Sequence, residues 1–151
     1  MIYLSIKTTH ELKTYVLALN KKLKPCSEEE YIFKPITVYF AKTTPNGVPG
    51  DFCYSDGNYY YYGGVGDRGE VTIEKTNSLF EVTYWIFKFQ TSVIAFDYEK
   101  KHRVKGKDCR RIAFHKQLEL MGKIGKCYRQ KAEIEINEIL KKAPFQDELF
   151  K

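Results

Sequence analysis

No stretch of this 151-residue sequence approaches the roughly 20 consecutive apolar residues that a membrane-spanning helix needs, which argues against a membrane role. The opening residues, MIYLSIKTTHELK, lack a basic region followed by an apolar core and a small-residue cleavage site. No signal peptide is therefore expected, and the cytoplasm is the expected compartment. The four cysteines, Cys26, Cys53, Cys109 and Cys127, stand far apart and form no CxxC pair. They read as free thiols in a reducing compartment rather than as a disulfide framework or a zinc site. Internal repeats and low-complexity tracts are also missing, which leaves one domain over residues 1–151 as the expectation.

What is present is an ordinary globular composition, 43% apolar and 29% charged, in a chain long enough to bury a core without staples. The net charge of +6 is unevenly spread: +3 over residues 1–50, −4 over 51–100 and +7 over 101–151. The basic C-terminal set Lys123, Lys126, Arg129, Lys131, Lys141 and Lys142 raises the alternative of a nucleic-acid-binding module. Against it, Glu133, Glu135 and Glu138 are interleaved and no nucleic-acid motif appears.

Leu12, Tyr15, Val16, Leu19 and Leu23 recur at helical spacing between Thr8 and Lys24, with Pro25 just beyond. ITVYFA at 36–41, followed by the TTPNGVPG turn, predicts a strand. DFCYSDGNYYYYGG predicts a hairpin with Asp56-Gly57-Asn58 at its tip, and EVTIEK at 70–75 a further strand. From Asn77 the turn residues vanish, and Leu79, Val82, Ile86, Phe89, Val93 and Phe96 form a long helical stripe. Gly106 interrupts the pattern. A helix from about Asp108 then carries Phe114, Leu118 and Met121 on one face, and another from about Tyr128 to Lys142 carries Ala132, Ile136, Ile139 and Leu140 inward. The fold class read from this is α+β: a small antiparallel sheet of three to four strands with a central hairpin, packed on an N-terminal helix and three C-terminal helices.

Two motifs look chemical and fail on context. Gly64-Val65-Gly66-Asp67-Arg68-Gly69 satisfies GxGxxG, but a strand pattern follows where a dinucleotide site needs the start of a helix. Glu99 and His102 make a single Glu-x-x-His, whereas di-iron bundles use the motif twice with two further carboxylates. No catalytic residue, metal site or cofactor is nominated.

The spacing of YYYYGGVGDRGE, LFEVTYWIF, AFDYEKKHR, KDCRRIAFHKQLELMGKI and EILKKAPFQDE resembles the immunity protein 63 family of bacterial polymorphic toxin systems. The resemblance runs from about Tyr54 to Glu148, and residues 1–50 match more loosely. Matching positions include Arg68, Gly69, Tyr84, Trp85, Glu99, Arg103, Asp108, Arg110, Arg111, Phe114, Pro144 and Phe145. The resemblance implies a small cytoplasmic protein that binds and neutralises a cognate toxin domain without catalysis. The toxin differs between relatives, so its identity does not carry over.

Two clusters then compete for the binding role. Five of the twelve tyrosines lie between Tyr54 and Tyr62, in the acidic middle of the chain near Asp51, Asp56, Asp67 and Glu70. Strand alternation puts Tyr59 and Tyr61 on one face and Tyr60 and Tyr62 on the other, so one pair can face outward as a recognition surface. The second cluster is Asp97 to Arg111, DYEKKHRVKGKDCRR, between two apolar helices. Glu99 and Arg103 are i, i+4, and Asp108 can cap the next helix while reaching Arg111 at i+3. As solvated pairs these would contribute about 0.3–0.5 kcal/mol each; partly buried, losing one partner would cost roughly 3–5 kcal/mol. Their place on the apolar stripes favours a structural ionic clamp over a direct toxin contact. Residues 28–30, all glutamate, form a further acidic patch.

Overall fold

The computed structural model describes residues 5–27, 30–45 and 49–150. The chain is α+β, in the order α1 (Thr9–Asn20), β1 (Tyr39–Phe40), β2 (Gly50–Ser55), β3 (Tyr60–Val65), β4 (Val71–Thr76), α2 (Leu79–Lys101), α3 (Cys109–Ile124) and α4 (Lys126–Lys142). It divides into two compact units, one made of residues up to Leu19 with Ile36–Ile86, the other of Asn20–Pro35 with Phe87 onward. No described helix is long and apolar enough to cross a membrane. Glu28 and Glu29 of the acidic patch, and Asn46, Gly47 and Val48 of the expected turn, lie outside the described residues; Glu30 is exposed.

In the first unit α1 opens with a reciprocal cap. Thr8 Oγ1 accepts the Glu11 N–H at 3.1 Å, and Glu11 Oε1 accepts the Thr8 N–H at 2.9 Å, satisfying two amides that the first helical turn leaves over. Leu12, Val16 and Leu19 are buried at the predicted spacing. The sheet has the order β1-β2-β3-β4. β2, β3 and β4 are antiparallel, as expected, but β1 runs parallel to β2, so the sheet is mixed. The expected six-residue strand over 36–41 also shrinks to Tyr39–Phe40, followed by one hydrogen bond from Ala41 N to Cys53 O at 2.9 Å. Strand propensity reports only a fit to a half-buried pleated surface, and here little of the segment lies alongside β2.

One face of the sheet is set by the pairing of Phe52 with Gly63 and Tyr54 with Tyr61. Phe52, Tyr54, Val65 and Ala41 form a buried cluster, with half-buried Tyr61 against it. A Cβ at Gly63 would collide with the Thr72 carbonyl oxygen and lie 3.0 Å from the Phe52 ring. Glycine is needed there for close approach, not for an unusual backbone angle.

In the second unit the buried positions of α2 are Phe87, Gln90, Thr91, Ile94, Ala95 and Glu99. This corrects the expected stripe: Phe89 is 45% exposed, and Val93 and Phe96 are only half-buried. Polar groups occupy the inward face because each finds a partner. Gln90 donates to the carbonyls of Lys34 and Pro35 at 2.9 and 3.1 Å, Thr91 donates to Phe87 O at 2.7 Å, and Gln117 of α3 donates to Lys88 O at 3.0 Å. On α3 the buried set is Ala113, Lys116, Gln117, Leu120, Met121 and Ile124, with Phe114 and Leu118 at its margin. On α4 Tyr128, Ala132 and Ile136 are buried, whereas Ile139, expected inward, is 44% exposed.

Gly63→Ala is expected to cost about 1–3 kcal/mol of unfolding free energy, because the new methyl meets backbone that cannot step aside without parting β3 from β4. Urea unfolding measures this, and an unchanged midpoint would show that the strands separate freely.

Candidate functional site

The hairpin is built from its turn outward. Asp56 Oδ1 accepts the N–H groups of Asn58 and Tyr59, both at 2.8 Å, and Gly57 takes φ +91°, a conformation that favours glycine. The second carboxylate oxygen accepts the Tyr61 hydroxyl at 2.7 Å. That bond pushes the Tyr61 phenol up to about 12 and holds Asp56 below its ordinary value. The Tyr61 ring stacks on Tyr54 with centroids 4.6 Å apart and planes 13° apart. Tyr61 is thus fixed at both its edge and its face.

The predicted division of the tyrosines maps onto two chemically different faces. Tyr60 is buried, and its hydroxyl accepts the Lys7 N–H at 2.8 Å. Tyr62, on the same face, donates to Asp51 at 2.9 Å and lies 6.3 Å from the Trp85 ring; burial first, then the Asp51 charge, raises its pKa. Tyr59 and Tyr61 take the other face, where Tyr59 is 38% exposed and the Lys75 ammonium sits 4.6 Å over its ring. Asp51 therefore lies on the opposite face from Tyr59 and Tyr61, while Asp56 lies at the tip below them. Asp67 is exposed in the turn at the far end of β3.

Three exposed apolar residues join Tyr59 and Tyr61 on that face. Register carries Tyr39 to Phe52, Phe52 to Gly63 and Gly63 to Ile73, so these four form one row across the sheet. Its two ends are open: Tyr39 is 64% exposed and Ile73 43%, with Val71 beside it at 45%. Sequence reasoning passed over Tyr39, Val71 and Ile73. Their odd-numbered alternation was visible, but the alignment of β1 and β4 with the hairpin was not.

The glycine run Gly64 to Gly69 is the end of β3 and the turn that leads into β4, not a phosphate loop. Gly66 N donates to Glu70 O at 2.8 Å, Gly69 N donates to Gly66 O at 3.0 Å, and Gly69 has φ +81°. His102 stacks on Tyr98 with centroids 4.0 Å apart, and Glu99 is committed to Arg103. Among the described residues no group of three His, Cys, Asp or Glu is placed to hold a metal ion. Burial pushes the Cys53 thiol up to about 12, so it carries no thiolate at neutral pH.

The ionic residues of the second unit form two assemblies. Glu99 is 1% exposed, and its two oxygens accept Arg103 Nε and Nη2, both at 2.9 Å. Asp108, also buried, caps α3 by accepting the Arg110 N–H at 3.0 Å, and further accepts the Gln146 N–H at 2.9 Å and the Arg110 guanidinium at 2.8 Å. The expected Asp108–Arg111 pair does not form. An N-cap carboxylate turns toward the amide two residues on, which places it beside Arg110. Arg111, one step further around the helix, instead binds Asp147 at 3.0 and 3.2 Å with its guanidinium 4.3 Å over the Phe145 ring. Arg110 also donates to the carbonyls of Ala143 and Pro144. The APFQD segment after α4 is thus the counterpart that local spacing could not reveal.

The sequence model of the immunity protein 63 family matches residues 56–138, more than half of the chain. The chain belongs to the immunity protein 63 family. No curated protein and no solved structure matches it. In this family member the matched span runs from the hairpin tip into α4 and takes in Tyr59 to Tyr62 together with Glu99, Arg103, Asp108 and Arg111. Asp51 and the segment 143–147 lie outside it.

Arg103→Ala is expected to lower the melting temperature, since it leaves the buried Glu99 carboxylate without its partner. Thermal melting checks this. A second expectation concerns acid. The Arg111 guanidinium lowers the Asp147 carboxyl below its ordinary 3.8, and that of Arg110 does the same for Asp108. Their stabilisation is complete above that value and is lost as pH falls through the lower, folded-state values. Asp147→Asn should therefore flatten the acid limb of a stability-versus-pH curve, and parallel limbs in parent and variant would count against the assignment.

Proposed function

We propose that the protein neutralises a cognate toxin domain by stoichiometric binding, without catalysis, and that the hairpin face is the contact. Family membership supplies the class of partner. The observation that carries the surface is the set of exposed Tyr39, Tyr59, Val71 and Ile73 beside half-buried Tyr61, on a face whose middle is the buried Phe52, Tyr54 and Val65. Aromatics braced against a close-packed cluster suit protein recognition because little side-chain freedom is lost on binding. Tyr61 is already held by Tyr54 and Asp56. The acids Asp56, Asp67 and Glu70 at the two ends of the hairpin would favour a basic cleft, such as that of a toxin acting on nucleic acid, and would speed the encounter. Inhibition follows either by plugging the toxin's active site or by holding it shut.

In this reading the whole chain acts as one immunity domain in the cytoplasm of the producing cell. The Glu99–Arg103 and Asp108–Arg110–Arg111–Asp147 assemblies act as a clamp that maintains the fold. The nucleic-acid alternative is weaker, because glutamates are interleaved with the cations of α4 and Lys141 pairs with Glu138 at 3.0 Å.

The test is co-expression of this chain with the C-terminal toxin domain encoded beside it, followed by co-purification. Rescue and a tight complex are expected. Tyr39→Ala and Tyr59→Ala should each weaken that complex by about tenfold or more with unchanged melting, as aromatic anchors of an interface do. If both variants bind and protect like the parent, the contact lies elsewhere.

A further inference from the structure

The two edges of the sheet are finished differently. On one side β1 and neighbouring residues flank β2: Cys53 O accepts Ala41 N at 2.9 Å, and Ser55 N donates to Thr9 Oγ1 at 2.9 Å. On the other side β4 is the last strand among the described residues, and all its residues from Val71 to Lys75 are exposed. It holds no proline and no bulge against β3. An open edge of this kind presents a row of unused donors and acceptors to another strand.

The phase of that row follows from the turn. Gly66 and Glu70 are hydrogen-bonded across the β3–β4 turn, and bonded pairs alternate along an antiparallel ladder. Asp56 N to Tyr59 O at the other hairpin fixes the same phase independently. Thr72, Glu74 and Thr76 therefore turn their backbone groups toward β3, and Val71, Ile73 and Lys75 turn theirs outward.

We propose that β4 pairs antiparallel with β4 of a second copy of this chain, centred on Ile73. Side-chain charge admits a second copy as the occupant and selects the register. Centring the two-fold on Thr72 would set Glu70 against Glu74, and centring it on Glu74 would set two glutamates face to face; like charges directly opposite are destabilising. Centring it on Ile73 opposes Ile73 to itself, Thr72 to Glu74 and Val71 to the methylene stem of Lys75, with no like charges opposed. The same register brings the outward backbone groups of Val71, Ile73 and Lys75 opposite one another, so every unused donor in that stretch meets an acceptor. Strand and charge pattern are thus self-complementary, as an isologous interface requires. The inference is independent of the toxin reading, since it concerns the free protein.

Sedimentation velocity of the full chain over a dilution series tests it. A reversible dimer is expected. Ile73→Pro removes an outward N–H while leaving the β3–β4 ladder intact, and should weaken the dimer at least about tenfold with retained circular dichroism. Ile73→Lys and Ile73→Glu should each be monomeric alone and should associate when mixed in equal amounts, which general destabilisation cannot produce. A parent that stays monomeric at every concentration overturns the proposal, including one whose β4 edge becomes protected only when a toxin strand is added. So does a dimer indifferent to all three substitutions.

Discussion

The ring of Phe52 needs the space above Gly63, and no other residue can stand at that position without striking the Thr72 carbonyl. This steric requirement pins β2 to β3 and β3 to β4 at once. A slip of one residue would turn every side chain of a strand to the opposite face. With the pair in place, Tyr61 falls on Tyr54, its hydroxyl falls on Asp56, and the turn residue becomes part of the packed face. The same register sends Tyr60 to burial and leaves Tyr59 in the open. It also sets the backbone phase of β4, and with it which groups the edge offers.

The second unit is governed by a different demand. Its buried face accepts Gln90, Thr91, Gln117, Glu99 and Asp108, each with hydrogen-bond partners. Such groups are costly inside a protein only when left unpaired. Asp108 illustrates the economy: one carboxylate caps α3, receives the Arg110 guanidinium and holds the Gln146 amide. The Asp108 N–H in turn donates to Asp147 at 2.8 Å, and Asp147 binds Arg111. The segment after α4 is thereby fastened to the start of α3 through charge-assisted bonds rather than through an apolar face.

These two arrangements bear differently on function. The ionic assemblies spend their hydrogen-bonding capacity internally, which suits groups that maintain a fold. The hairpin face leaves aromatic and branched side chains exposed beside a buried cluster of Phe52, Tyr54 and Val65. An inhibitor that works by occupying a partner benefits from such preorganisation, because the ordering cost falls on folding rather than on binding.

Much of the local architecture was legible in the residues. The α1 helix, the Asp56-Gly57 hairpin, the Asp108 start of α3 and the division of Tyr59–Tyr61 from Tyr60–Tyr62 all follow from periodicity, short-range sterics, capping chemistry and strand alternation, which act within a few residues. The family blocks were legible for the same reason, as ordered local strings. What only the tertiary structure decided are the events between distant residues. These are the parallel direction of β1, the exposure of Phe89 and Ile139, the choice of Asp147 over Asp108 as partner of Arg111, and the row that joins Tyr39 to Ile73. Hydrophobic periodicity assumes that inward means apolar, and a buried glutamine or glutamate with its partners satisfied is invisible to that rule. A sequence states which groups must be satisfied; which distant group satisfies each is settled only when the chain closes.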